Sequence, residues 1–312
     1  MESNLISIII PTYNRADLLP ETLDSVLSQT YENWECIIVD DGSSDHTPKV
    51  ALQYTQKDSR FKFHQRPTER KSGGNGARNF GFLQSTGNYV KWLDSDDLIA
   101  KDLLQKEIQL LSDENADLIL SSWIYFDSAN THFPERNRLV KAAPNNGIEL
   151  LNKMGELGEF SFPSCYLVKR DLVAIAGLWN ENLRVNQDGE FFFRIISNCN
   201  NLRILEYCGS LHRKDGENKI SQKADRKSIS NRINSWKLID AMIQIRKNPQ
   251  ELQTYISGTK TILYNEQRDS GKLDVILENS DFFKEQIRSE KSRKIKLKFL
   301  LLKLKNILST SE

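Results

Sequence analysis

The first 125 residues repeat one pattern four times, and that pattern leaves little choice of fold. A short β-branched or apolar run ends in a polar cluster, and a stretch of helical periodicity follows. "LISIII" (5–10) is closed by Pro11 and reads as a buried strand; "ADLLPETLDSVLSQT" then places Leu19, Leu23, Val26 and Leu27 at helical spacing. "WECIIVD" is a second strand, "RFKFHQ" a third, "NYVKWLD" a fourth and "DLILSSW" a fifth, with helices expected between them, the last near 101–112. Strands alternating with helices predict βαβ units, a largely parallel sheet and helices on both faces. Right-handed crossovers put all the strand carboxyl ends on one edge, which is where open α/β sheets bind ligands. Three polar clusters fall there: "PTYNR", "DDGSSD" and "DSDD".

Beyond residue 126 the rhythm breaks into shorter elements rich in Asn, Gly and Pro, and from about 225 the pattern is mostly helical. We therefore expect one domain over 1–225 and a helical C-terminal region over 226–312. At 38% hydrophobic and 27% charged residues the chain can bury a core. Its net charge of +1 gives no global field for nucleic acid. That balance hides an asymmetry: residues 282–312 carry nine Lys or Arg and three Asp or Glu, so a mildly acidic body precedes a basic tail. Cys36, Cys165, Cys199 and Cys208 show no zinc spacing and are expected as free thiols. With no signal-like leader and no run of apolar residues long enough to span a bilayer, a cytoplasmic location is expected.

The cluster Asp94, Asp96 and Asp97 packs three carboxylates into four residues after an apolar run. Hard divalent cations such as Mg²⁺ and Mn²⁺ are held by one or two carboxylates together with substrate phosphates, which would offset the repulsion. If the chain stays extended, Asp94 and Asp96 point the same way. The bland alternative is a solvated loop whose Asp94 or Ser95 caps the next helix. "GGNGARNFG" (73–81) misses both common phosphate-loop patterns, yet Arg78 and Asn79 in a first helical turn could bind a diphosphate. Asp188 precedes the aromatic run of "NQDGEFFFRIIS", a setting that by itself suits a helix cap more than the general base it could also be.

In order along the chain, "ISIIIPTYNRADLLPETLDSVLSQTYENWECIIVDDGSSDHT", "GGNGARNFGFLQSTGNYVKWLDSDD", "GLWNENL", "QDGEFFFRI" and "LHRKDGENKIS" resemble the family-2 glycosyltransferases of GT-A fold, over roughly residues 4–222. The resemblance implies an α/β domain with a mixed, mostly parallel sheet. Pro11, Thr12, Tyr13 and Arg15 would contact the nucleoside, and Asp41, beside Asp40, would recognise the base. Arg78 and Asn79 would approach the diphosphate or sugar. Asp94, Ser95 and Asp96 match the DxD-like motif, with Asp96 on a Mn²⁺ or Mg²⁺ ion and Asp97 as a partial substitute. Asp188 matches the catalytic base, although Gln187 stands where the family usually has Glu, and His212 matches a position that helps hold metal or diphosphate.

The implied chemistry is coherent. An acceptor hydroxyl needs a positioned base because its pKa lies far above neutrality. The nucleoside diphosphate leaves with growing negative charge, which a cation and Arg78 would stabilise. Attack opposite the leaving group inverts the anomeric centre. The expected donor is a UDP-sugar and the expected acceptor a glycan or lipid-linked glycan. Two other classes were weighed: a metal-dependent sugar nucleotidyltransferase, for which a basic N-terminal phosphate loop is missing, and a binding module without catalysis, against which Asp96 and Asp188 together speak. In "KSRKIKLKFLLLKLKNIL" (291–308), Leu297, Leu300, Leu301, Leu304, Ile307 and Leu308 share one arc, and Lys291, Lys294, Lys298 and Lys305 a neighbouring one. Such a basic amphipathic helix suits an anionic bilayer, or else packs on protein. Oligomeric state is left open.

Overall fold

The computed structural model describes residues 4–114, 116–127, 138–214 and 225–309. The chain divides into two compact units, residues 1–151 with 159–223, and residues 152–158 with 224–312. The first unit is built on an eight-stranded sheet in the order β3-β2-β1-β4-β7-β6-β8-β5. Its strands are β1 (Ile6–Thr12), β2 (Trp34–Asp40), β3 (Phe61–Gln65), β4 (Tyr89–Trp92), β5 (Leu98–Ile99), β6 (Leu118–Phe126), β7 (Tyr166–Lys169) and β8 (Leu202–Arg213). Its helices are α1 (Leu19–Leu27), α2 (Thr47–Lys57), α3 (Gly74–Gln84), α4 (Leu103–Glu114), α5 (Arg138–Lys141), the start of α6 (Gly147–Leu157), α7 (Arg170–Ala176) and α8 (Gln187–Ser197).

The first four strands pair in parallel, as the alternating pattern requires. The sheet then changes direction. β7 runs antiparallel to both β4 and β6, β6 and β8 are parallel, and the short β5 is antiparallel to β8. No alternation in the sequence announces β7 or β8, because their partners lie far away in the chain. Ile6, Ile8, Ile9 and Ile10 are fully buried, each contributing roughly 1.5–3 kcal/mol of apolar transfer. The side chains of β1 and β2 alternate between two faces. Ile8, Ile10 and Ile38 meet Leu19, Leu23 and Val26 of α1 on one face, whereas Ile37 and Val39 meet Ala77 of α3 on the other.

Helix α3 carries three glycines in eleven residues, a sequence of low intrinsic helicity. Packing explains it: a Cβ at Gly81 would lie 2.6 Å from the Ile9 side chain, so glycine lets α3 settle directly on β1. The second unit contains the end of α6 and the helices α9 (Arg226–Gln244), α10 (Gln253–Asp269), α11 (Leu273–Glu278), α12 (Lys284–Ser289) and α13 (Arg293–Ser309). The short 152–158 piece belongs to this unit. Asn152 donates to the Glu251 carbonyl (2.7 Å) and accepts from the Tyr255 N–H (3.0 Å).

The tail helix has two apolar faces. Phe299 is buried, and Ile295 and Leu302 are partly covered on the same side. Leu297, Leu300 and Leu301 stand exposed on the other. The expected arc is therefore present as far as Leu301, and a second stripe was overlooked because the lysines between the two hide it. The side chains of Leu304, Lys305, Ile307 and Leu308 lie outside the described residues. All four cysteines are free thiols.

Candidate functional site

The carboxyl ends of β1, β2 and β4 and the starts of α3 and α8 carry the expected residues. Pro11 and Thr12 close β1, and the Thr12 carbonyl accepts the Asp41 N–H at 2.9 Å. The Thr12 hydroxyl is buried and has no hydrogen-bond partner among the described residues. Tyr13 stands out with its ring 54% exposed, and Asn14 follows in the left-handed region at φ 50°. Asn14 ties this turn to the next one by accepting the Ser44 N–H (2.9 Å), and Arg15 N–H donates to Thr47 Oγ1 (2.7 Å). Asp40 serves the turn itself, since one of its oxygens accepts both the Gly42 and Ser43 N–H groups. Asp41 is held by Arg66 and by the Gly73 N–H (2.7 Å). Gly73 sits at φ 120°, a conformation a Cβ would strain. Arg66 was not foreseen. Its remaining bonds, to the carbonyls of Pro67 and Arg70, show that it fixes Asp41 in place.

The chain does not stay extended through the aspartates. A turn closes Asp97 N–H onto the Asp94 carbonyl (3.1 Å), so Asp94 and Asp96 part company. Asp94 accepts from Arg78 Nη2 at 2.7 Å. The Asp96 carboxylate has, among the described residues, a 3.8 Å ion pair with Arg15, while its backbone carbonyl accepts from Arg213 Nε at 3.0 Å. Ser95 between them is buried. Arg78 is itself buried, donates to Asn75 Oδ1 (3.2 Å), lies over the Trp179 ring and keeps an Nε with no partner among the described residues. Asn79 differs from the expectation. Its amide N–H groups go to the Trp179 carbonyl (2.9 Å) and Glu181 Oε1 (2.9 Å), and its oxygen accepts the Trp179 N–H (2.9 Å). It has no donor left for a diphosphate and instead clamps the 177–183 loop to α3.

That loop links Arg78 to α8, which carries Asp188. Trp179 stacks on Phe191 of α8 at 4.1 Å, and both meet Trp92 of β4 edge-on. Trp179 was quoted in the sequence pattern without a role; a tryptophan in a polar loop was the available signal. Asp188 lies in the first turn of α8, where Asn186 rather than Asp188 is the residue before the helix. It accepts the Gly189 N–H at 3.0 Å. Burial pushes its carboxyl above the ordinary value, against the pull of Gly189 N–H and the Arg78 charge, while the Asp94 charge adds to the push. Asp188 thus shares one electrostatic environment with Arg78 and Asp94.

Asp97 is engaged within the protein. It is buried, and its two oxygens go to the Arg213 N–H (3.0 Å) and to His212 Nδ1 (2.8 Å). Burial raises its carboxyl to about 6, opposed by His212 and reinforced by the Asp94 and Asp96 charges. A carboxylate on one ring nitrogen orients a histidine to use the other, the usual arrangement behind a metal-ligating imidazole. Among the described residues no three His, Cys, Asp or Glu side chains already form a metal cage. A weakly tied carboxylate, Asp96, and an oriented histidine do fit an ion that takes its remaining ligands from phosphates and water.

Comparison with known proteins agrees with this geometry. The family profile described as "Glycosyl transferase family 2" matches residues 7–174, more than half of the chain. Among curated relatives, the chain is 33% identical to the glycosyltransferase GlyG of Streptococcus pneumoniae over 42% of its length and 43% of that protein. It is 34% identical to WfgD of Escherichia coli, a UDP-Glc:alpha-D-GlcNAc-diphosphoundecaprenol beta-1,3-glucosyltransferase, over 52% of the chain and 66% of that protein. These matches span less than two thirds of each relative's own length. Among solved structures, S. aureus TarS 1–349 in complex with UDP-GlcNAc superposes with TM-score 0.70 at 21% identity, covering 89% of this chain and 78% of that one. The mannosyltransferase PcManGT of Pyrobaculum calidifontis, in complex with GDP-Man and Mn²⁺, superposes with TM-score 0.56 at 19% identity, covering 81% and 68%. The fold is therefore the GT-A type, a mixed sheet flanked by helices with C-terminal helices added, and the chain belongs to glycosyltransferase family 2.

Proposed function

We propose that the protein is an inverting glycosyltransferase that moves a sugar from a nucleotide-sugar donor, a UDP-sugar, to a hydroxyl of a glycan or lipid-linked glycan. The observation that carries this reading is Asp188, a carboxylate under the influence of both Arg78 and Asp94 at the carboxyl edge of the sheet. The curated relative acting on a diphosphoundecaprenol-linked sugar supports the acceptor class.

Pro11, Thr12, Tyr13 and Asp41 hold the nucleoside: Tyr13 offers an exposed ring, Thr12 an unbonded hydroxyl and Asp41 a fixed carboxylate. Arg15 and Arg78 face the diphosphate, with Asp94 and Ser95 on the sugar side. Asp96 and His212 hold the divalent cation, Mn²⁺ or Mg²⁺, which when bound neutralises charge developing on the departing diphosphate. Asp188 takes the proton from the acceptor hydroxyl as its oxygen forms the bond to the anomeric carbon and the bond to the diphosphate oxygen breaks, with inversion. The raised pKa of Asp188 makes it a stronger base than an exposed aspartate. A panel of nucleotide sugars with Mn²⁺, read by release of UDP or GDP, tests the reading. Slow hydrolysis of one UDP-sugar is expected; binding without turnover of every donor, in the presence of diverse acceptors, would defeat it.

No helix among the described residues is long and apolar enough to cross a membrane. The exposed face of Leu297, Leu300 and Leu301, with Lys294 and Lys298 beside it, supports peripheral contact with an anionic, cytoplasmic membrane face, where a lipid-linked acceptor would lie.

A further inference from the structure

A cluster of aromatic rings stands on the Asp97 side of the aspartate run, and the chemistry described so far leaves it without a task. Strands β6 and β8 are parallel with Tyr125 opposite His212 and Trp123 opposite Ser210. Residues two apart on a strand share a face, so Trp123, Tyr125 and His212 look the same way. Phe162 lies flat on the His212 ring, centroids 3.6 Å apart and planes 10° from parallel. Trp123 meets Tyr125 edge-on at 4.8 Å and Phe162 at 4.7 Å. Trp123, Tyr125 and Phe162 all remain partly exposed. The Tyr125 hydroxyl makes no hydrogen bond among the described residues.

We infer that Trp123, Tyr125 and Phe162 form a pyranose-binding subsite for the acceptor glycan. The argument rests on the transferase reading above and deepens it. A sugar ring has an apolar C–H face and a polar hydroxyl rim. It is matched by partly exposed aromatic faces with a polar tip, such as the Tyr125 phenol. The cluster is continuous with the reaction centre through the hydrogen bond from His212 to Asp97, whose neighbouring charges are Asp94 and Asp96. The donor sugar is tethered through its diphosphate near Arg78 and Asp94, on the Asp188 flank. A second ring on the His212 side belongs to the chain being extended, whose end reaches back to Asp188.

The test uses the full chain loaded with UDP and Mn²⁺, with methyl β-D-glucopyranoside, methyl β-D-galactopyranoside and methyl N-acetyl-β-D-glucosaminide as probes. Saturation-transfer NMR reads contact with the sugar C–H protons, and calorimetry reads UDP. At least one glycoside is expected to bind the wild type. Trp123→Leu and Tyr125→Leu should each weaken it about tenfold, one stacking contact, with UDP affinity and thermal midpoint unchanged. Trp123→Phe, which keeps a ring, should retain most of the binding. No glycoside contact in a wild type that binds UDP would overturn the subsite. So would equal binding by both leucine variants, or a fall in thermal midpoint for both, which would mark the rings as a satellite of the core. Loss of contact to the donor sugar of a UDP-sugar, with the glycosides unaffected, would reassign the rings to the donor. Failure of the wild type to bind UDP would instead defeat the nucleotide-sugar reading itself, and this inference with it.

Discussion

The two ends of the same parallel strands treat carboxylates in opposite ways. At the amino end, Glu35 of β2 is 4% exposed and fully engaged. It accepts from the Ser7 hydroxyl (2.7 Å), the N–H groups of Thr86 (2.5 Å) and Gly87 (3.1 Å), and the Lys62 ammonium (2.6 Å). One side chain thereby ties β1, β2, β3 and the turn before β4. At the carboxyl end the carboxylates divide: Asp41, Asp94 and Asp97 have donors of their own, whereas among the described residues the Asp96 carboxylate has a single long ion pair and Asp188 accepts the Gly189 N–H. A carboxylate that stabilises a fold collects donors; one left short of them is open to a ligand. The amino end is finished by the protein alone, and the carboxyl end is completed by what binds.

The largest expected break in this contrast is Asp188→Asn. Transfer should fall about 10²–10⁴-fold, the usual contribution of a general base, while calorimetric UDP affinity stays the same. A variant with normal turnover would remove Asp188 from the chemistry. In the wild type, the acid limb of the kcat/KM profile should lie above the range of an ordinary aspartate, because burial raises this pKa and only the ionised form takes a proton.

Asp96→Asn comes next. Thermal unfolding of the wild type should shift upward with UDP plus Mn²⁺ more than with UDP alone, and the variant should lose the metal increment. Its unliganded midpoint should be equal or higher, since one of three crowded negative charges is gone. A lower midpoint would make Asp96 a structural residue.

At the other end, Glu35→Gln should cost about 2–3 kcal/mol in urea unfolding, from hydrogen bonds to a charged acceptor. Activity per folded molecule should be retained. Burial opposes ionisation of Glu35, yet the bonds from Lys62, Thr86 and Ser7 together bring it down to about 2. The sign follows. A carboxyl depressed in the fold contributes stability that is complete above its ordinary value of 4.5 and is lost as pH falls toward 2. The gap between wild type and Glu35→Gln should therefore narrow across that window, and a constant gap would show that the ionised state of Glu35 is not what matters.

The smallest effect on stability is expected for Leu297→Glu with Leu300→Glu. Both side chains are more than half exposed, so unfolding should change by no more than about 0.5 kcal/mol. Cosedimentation with phosphatidylglycerol vesicles should be lost all the same. Vesicle binding that survives both substitutions would leave the membrane reading without its apolar contact.

Elements with local signals were legible in the chain. β1 to β4, α1 and α4 follow from period and from runs of β-branched residues, and the family from an ordered resemblance. The partners of Asn79 were not legible because its position in a first helical turn says nothing about a loop a hundred residues away that takes its amide. Those of Asp97, His212 and Arg213, were hidden for the same reason. The turn at 94–97 was invisible because "DSDD" is compatible with either a strand end or a turn.

The sequence by itself determined the alternating layers, the edge on which polar clusters gather, and the family, since periodicity and motif order are properties of neighbours along the chain. Only the tertiary structure decided which carboxylates are spent on the fold and which remain available. A carboxylate's availability depends on how many donors surround it, and those donors come from strands and loops that meet only when the sheet is assembled.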